Sequence, residues 1–287
     1  MWGIEEPLGN VYPVDERRWR VNIYLSIDME GVAGVANWDE TVHSGPDYGR
    51  FRELMTLEAN CAAVAALDEG ADTVVINDSH GGMRNMVIEK LDPRVELISG
   101  SPKPMGMMEG LDDSFDAVMF VGYHSMAGTP GVLNHTYTGT VLEYQINGQR
   151  LGEIGMNAAL AGHYDVPVIF LSGDDCAVVE AADLIPGVHT ACVKQYVSRY
   201  ASRSLHPERA RDLIRAGVKR ALAEKAPDPF KVQTPVILTL KFVDTALADG
   251  SHLLPGAERV DPLTVQYTAP DYPTALRAGR ALMSLGR

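Results

Sequence analysis

The chain has 287 residues, 46% hydrophobic and 22% charged, with a formal net charge of -13. That length buries a full core in one large domain, or in one with a smaller companion, and the composition is ordinary for a globular protein. The acidic balance argues against nucleic acid as partner, because neutralising phosphates needs a basic face, and no apolar run approaches the roughly 18 residues that cross a bilayer.

Residues 1–20, "MWGIEEPLGNVYPVDERRWR", carry acids near the start and no continuous apolar segment. They read as a poorly packed leader rather than a secretory signal, so the expected location is cytoplasmic. The first strand is expected over 22–28 ("NIYLSID"), followed by a helix from Gly49 to Glu69. Further strands are expected at 73–78, 95–99, 117–123 and 167–173, with helices from Glu153 to His163 and Cys176 to Leu184. Near-continuous Val, Ile and Leu runs joined by helices predict an α/β fold: a mostly parallel sheet covered by helices on both faces.

The segment "HTYTGTVLEYQINGQRLGE" alternates with period two about Asn147-Gly148, which predicts a β-hairpin standing over the sheet edge as a wall of the site. The polar helix "HPERARDLIRAGVKRALAEKA" ends at Pro227 and Pro229, a boundary signal. Beyond it, "PVILTLKFV", a short helix, "LTVQYTA" and a last helix read as a small α+β subdomain. The expected organisation is a leader (1–20), an α/β catalytic domain (21–230) and this subdomain (231–287). Cys61, Cys176 and Cys192 are odd in number, far apart and without CxxC spacing, so they read as structural.

The chemistry begins with "YLSIDMEG". Residues i and i+2 of a strand share a face, so Asp28 and Glu30 project together where the strand ends. In open α/β sheets that carboxyl end is where ligands bind. Asp78 and His80 repeat the spacing at the end of "TVVINDSH", and His124 ends "AVMFVGYH". A mixture of Asp, Glu and His without sulfur suits Zn²⁺, Mn²⁺ or Co²⁺.

Glu153 opens a helix, where the macrodipole favours an acid. Asp174 and Asp175, ending "PVIFLSGDD", either cap the next helix or bind a substrate ammonium. Glu58, near Leu54, Met55 and Cys61, is a candidate for orienting a ligand histidine.

Five blocks, "SIDMEG", "NDSHGGM", "LISGSPKPMGMMEGLD", "GYHSMAGTPGVLNHT" and "GEIGMNAALAGHYDVPV", resemble those of the M55 peptidases, the D-aminopeptidase family. The resemblance runs from about Asn22 to the C-terminus. It implies a dinuclear zinc aminopeptidase for short peptides with an N-terminal D-residue of the D-Ala type, with two Zn²⁺ per subunit and Mn²⁺ or Co²⁺ as substitutes. It places the ligands at Asp28, Glu30, His80, His124 and Glu153, the catalytic residue at His135, and the subunits in a homo-oligomer, a decamer of stacked rings. Five ligands serve two ions only if one is shared, and Asp28 is the expected bridge.

The resemblance casts His135 as nucleophile; proton transfer or oxyanion stabilisation fits the chemistry equally. Two other readings stand beside this one. The first is a metal-dependent amidohydrolase or phosphatase of other specificity, and the second is a non-catalytic peptide-binding component of a transporter.

Overall fold

A computed structural model describes residues 21–286; the leader expected over 1–20 lies outside the described residues. In chain order the first half contains β1 (Asn22–Ile27), α1 (Trp38–Thr41), α2 (Tyr48–Asp68), β2 (Thr73–Asp78), β3 (Glu96–Ile98), β4 (Ala117–Tyr123), β5 (Val141–Ile146), β6 (Gln149–Arg150) and α3 (Glu153–His163). The second half contains β7 (Val168–Asp174), α4 (Asp175–Leu184), β8 (His189–Ser198), β9 (Ala201–Ser204), α5 (Pro207–Ala223), β10 (Val236–Phe242), α6 (Thr245–Ser251), β11 (Ala257–Asp261), β12 (Thr264–Ala269) and α7 (Tyr272–Leu285).

Seven strands form one sheet in the order β3-β2-β1-β4-β7-β8-β9, parallel except for the last pair. Every residue of β4 and β7 is buried, which is why these strands read as unbroken apolar runs. Ile23, Leu25 and Ile27 face α2 and α5, whereas Tyr24, Val118 and Phe120 face a second core shared with α3 and α7. No helix among the described residues is long and apolar enough to cross a membrane.

The remaining five strands form an antiparallel sheet, β11-β12-β10-β5-β6. Asn147 and Gly148 adopt φ of 50° and 81°, the left-handed pair that a two-residue hairpin turn requires. β5 then pairs with β10 from the far side of Pro229, so the hairpin and the C-terminal strands share one sheet. In β10, Val236, Leu238, Leu240 and Phe242 point inward in strict alternation. The hairpin strands therefore turn away into this sheet, and only the approach to them, Tyr137 to Gly139, lines the site cavity.

Three strands were not anticipated. β8 carries a buried lysine and exposes its second half, β9 is four residues long, and β11 is mostly exposed. The helix expected from Cys176 begins one residue earlier, because Asp174 caps it by accepting from the Ala177 N–H.

The ends of β1 and β4 interlock. Asp28 N–H donates to Val121 O at 2.9 Å, and Gly31 N–H donates to Gly122 O at 2.7 Å. A Cβ on Gly31 would lie 2.0 Å from Tyr123 O, so the strand ends approach too closely for any side chain there. Gly31→Ala is expected to lower stability by about 1–3 kcal/mol, the usual scale of an overpacked contact, read as a lower Tm in thermal denaturation. An unchanged Tm would show that the two strand ends separate freely.

Candidate metal centre

The carboxyl ends of three adjacent strands bring Asp28 and Glu30 (after β1), His80 (after β2) and His124 (after β4) to one rim. Glu153, the first residue of α3, and His135, from the loop between β4 and β5, complete the group. The six form two trios whose ligand-type atoms lie within 4.8 Å of one another: Asp28, Glu30 and His80, and His124, His135 and Glu153. Asp28 joins them. Its Oδ1 is 3.2 Å from His80 Nδ1, and its Oδ2 is 3.4 Å from His124 Nε2.

The other spacings are similar. Glu30 Oε2 is 2.9 Å from His80 Nδ1, and Glu153 Oε1 is 3.4 Å from His124 Nε2 and 3.7 Å from His135 Nε2. A tetrahedral ion with ligand arms of 2.0–2.1 Å separates its ligands by about 3.3–3.4 Å, so the edges to His80 and His124 are close to that spacing and the one to His135 is longer.

The outer ring nitrogen of each histidine faces a backbone carbonyl: His80 Nε2 faces Thr41 O at 3.0 Å, His124 Nδ1 faces Ser125 O at 2.9 Å, and His135 Nδ1 faces Leu133 O at 2.8 Å. A carbonyl only accepts, so each outer nitrogen carries the proton. In the neutral ring the inner nitrogen then presents a lone pair to carboxylate oxygens, and only a cation between them relieves the repulsion. Asp28 Oδ2 and His124 Nε2 are buried with no hydrogen-bond partner among the described residues. Asp28, Glu30 and Glu153 are all buried, and among the described residues none is ion-paired to lysine or arginine. The donor set therefore fits two divalent ions that share Asp28.

Without an ion, protons take that role. Burial opposes charging His80 and His124, but the facing carboxylates prevail: Glu30 and Asp28 raise His80 well above its ordinary pKa, and Glu153 and Asp28 raise His124. Burial would likewise raise Asp28 and Glu153, yet the histidines hold both below the usual carboxylate range.

Several neighbours act on the backbone that carries these ligands. Lys194 on β8 is fully buried and its Nζ donates to Glu30 O, to Val32 O at 3.1 Å and to Val35 O at 2.7 Å. Burial pushes its pKa down to about 8 against the pull of Asp174, Glu58 and Glu30. Glu58 accepts from the Ala33 N–H at 3.0 Å and is raised by burial to about 7, so it holds this same loop and orients no ligand histidine. Asp78 turns away from His80 and ties down the following loop, accepting from Met86 N–H at 2.8 Å, Asn85 Nδ2 at 2.7 Å and Asn85 N–H. Asp174 accepts from Val132 N–H at 2.6 Å in addition to capping α4, and Asp175 accepts from Tyr196 N–H at 2.7 Å, so both are engaged by backbone. Burial, with Asp174 and Asp175, pushes the adjacent Cys176 thiol up to about 12, so without a bound ion it stays protonated. All three cysteines are free.

The centre opens into a cavity of about 670 Å³ whose lining includes Asp28, Glu30, His80, His135 and Glu153 together with Arg280 and Met283 of α7. His135 stacks on His124 with ring centroids 4.2 Å apart and meets the edge of Trp38 at 5.3 Å. Sequence reasoning missed Lys194, Trp38 and Arg280. A lysine inside the otherwise apolar "TACVK" was the available signal for the first; the other two carry none.

Two histidine–carboxylate clusters joined by one carboxylate, at the carboxyl ends of the central strands of an α/β sheet, have the make-up of a metallohydrolase. The chain belongs to the D-aminopeptidase family, the M55 peptidases, which matches it over residues 21–281. It is 43% identical over 263 residues to a D-aminopeptidase of Bacillus subtilis (strain 168), spanning 90% of this chain and 95% of that one. The fold superposes with a TM-score of 0.91 on the Zn-dependent D-aminopeptidase DppA from Bacillus subtilis, described as a self-compartmentalizing protease. That likeness has 40% identity and covers 93% of this chain and 98% of the other.

Two outcomes are expected. In the metal-free protein, His80 and His124 add stability that is full below their ordinary pKa of 6.5 and lost as pH rises through the raised folded values. Asp28 and Glu153, ordinarily 3.8 and 4.5, add stability that is full above those values and lost as pH falls. The Tm of metal-free protein should therefore peak between about pH 4.5 and 6.5, and the gain in Tm on adding zinc should grow as pH rises. A zinc-induced gain that is flat across pH 5 to 8 would contradict the proton-for-metal exchange.

Lys194→Met leaves three carbonyls without their donor. It should cost about 1–3 kcal/mol in denaturant unfolding and weaken zinc affinity roughly 10–100-fold by titration, the scale for losing a group that orients ligands.

Proposed function

We propose that the chain is a zinc-dependent aminopeptidase that releases N-terminal D-residues, of the D-Ala type, from short peptides. The observation that carries this reading is Asp28, whose two oxygens each face a different histidine cluster. In it Asp28, Glu30 and His80 hold one ion, and Asp28, His124 and Glu153 hold the other. Zn²⁺ bound there supplies polarisation of a carbonyl and a lowered pKa for water at the site. The relatives' D-aminopeptidase activity and the zinc dependence of the matched structure support the same choice of substrate and metal.

The chain's own residues then divide the work. His135 Nδ1 is committed to Leu133 O, which leaves Nε2 as the atom that gains or gives up a proton. Stacking on His124 and the edge of Trp38 keep the ring from swinging away. Nε2 accepts the proton of the attacking water and passes it to the leaving amine, general base and then general acid. Glu153 is fixed by the Tyr137 N–H at 2.7 Å. In this reading the subunits close into a homo-oligomeric ring, the decamer that the family resemblance implies. The self-compartmentalizing relative and exposed apolar side chains such as Val179, Val197 and Tyr200 support that arrangement.

The test is a panel of paired D- and L-aminoacyl amides and dipeptides with and without zinc, alongside metal analysis and light scattering. Cleavage of the D-series, about two zinc ions per chain and a stable oligomer are expected. Cleavage of phosphate esters alone, or of L-substrates alone, would overturn the substrate assignment.

Among variants, His135→Ala should keep both ions while kcat falls about 10²-fold or more. His80→Ala and His124→Ala should lose zinc affinity itself, with activity partly restored by excess metal. If His135→Ala loses an ion, the assignment of His135 to proton transfer is wrong.

A further inference from the structure

Arg280 lines the cavity into which the metal centre opens. It sits on α7, in the C-terminal part of the chain, and lines the same space as Asp28, Glu30 and Glu153. Its Nη1 donates to Tyr137 Oη at 3.2 Å, and its guanidinium lies 5.7 Å from the centroid of that ring. Among the described residues no carboxylate pairs with it, although the chain has 38 acidic and 25 basic residues. A guanidinium offers five donors in a planar fork, and a carboxylate is the acceptor that matches the fork two bonds at a time.

The position is built rather than incidental. Gly106, at φ 59°, packs under the guanidinium: a Cβ there would lie 1.8 Å from Arg280 Nη1 and 2.5 Å from Tyr137 Oη. The nearby cation Lys103 is spent, its Nζ donating to Asn77 Oδ1 at 2.6 Å, Asp78 O at 2.8 Å and Ile98 O at 3.2 Å. Tyr137 also sets the distance to the chemistry. Its backbone N–H holds Glu153 and its hydroxyl meets Arg280, so the guanidinium stands one tyrosine side chain and one hydrogen bond from a metal-site carboxylate. An extended peptide advances about 3.3–3.6 Å per residue, so only a peptide of a few residues places its C-terminal carboxylate there while its N-terminal residue stays at the metal-site carboxylates.

We propose that Arg280 binds the C-terminal carboxylate of the peptide substrate and thereby selects di- and tripeptides over longer chains. This rests on the aminopeptidase reading above and extends it to the far end of the substrate. The scissile bond lies at the histidine–carboxylate rim, the free carboxylate at α7, and Tyr137 between them acts as the spacer.

The test compares kcat/KM for D-alanyl-D-alanine and for its C-terminal amide in the zinc-loaded wild type, Arg280→Met and Arg280→Lys. The wild type should prefer the free acid. In Arg280→Met the acid-to-amide ratio should fall about tenfold or more, the scale of a charge-assisted bond, through KM rather than kcat. Arg280→Lys should recover part of it. A purely structural role would depress acid and amide equally and leave the ratio unchanged, which overturns the proposal.

Failure of the aminopeptidase reading shows separately, as a wild type that cleaves neither compound. Binding then decides. Calorimetry with the ketomethylene isostere of D-alanyl-D-alanine and its C-terminal amide should show the acid form weakened by about tenfold or more in Arg280→Met and the amide form much less. Equal affinity of wild type and variant for the acid form refutes the subsite.

Discussion

Three largely buried carboxylates gathered at one strand-end rim are the constraint that the rest of this structure serves. Like charges at such separations repel strongly where the dielectric constant is low, and among the described residues neither lysine nor arginine pairs with them. The histidines cannot relieve the strain while neutral, because each outer nitrogen is already committed to a carbonyl and turns a lone pair inward. The arrangement persists because each ligand is held from behind. Lys194 fastens the carbonyls of the β1 loop, Glu58 takes one of its N–H groups, Asp78 ties the loop after β2, and the ends of β1 and β4 are locked edge to edge. The apolar sheet thus holds together carboxylates whose charges require a proton or a cation between them.

The two sheets divide the work. The parallel sheet supplies precision, since neighbouring strands in fixed register deliver their last residues to one edge. The antiparallel sheet carries α7 against its inner face, and α7 adds Arg280 and Met283 to the cavity lining, with Arg280 tied to Tyr137.

The parallel core was legible because β1, β2, β4 and β7 are buried on both faces and leave unbroken apolar runs. The ligand-type residues were legible as a set because they fall at strand ends in the i, i+2 relation, a pattern local enough to survive without coordinates. Grouping His135 and Glu153 with them needed the family resemblance, since a loop and a helix start carry no such geometry. What stayed hidden acts across the fold. β8 was obscured by Lys194, whose value lies in carbonyls more than a hundred residues away, and Glu58 looked like a partner for a histidine when its partner is a backbone N–H. The hairpin was visible, but not its pairing with β10, because strand pairing over such a separation leaves no mark on either segment.

Because β5 must wait for β10, the order in which the polypeptide leaves the ribosome bears on how the centre matures. All six histidine and carboxylate groups lie between β1 and the start of α3, whereas Arg280 and Met283 of the same cavity lie on the final helix. The last part of the cavity lining is therefore made only after every residue of the cluster has been synthesised.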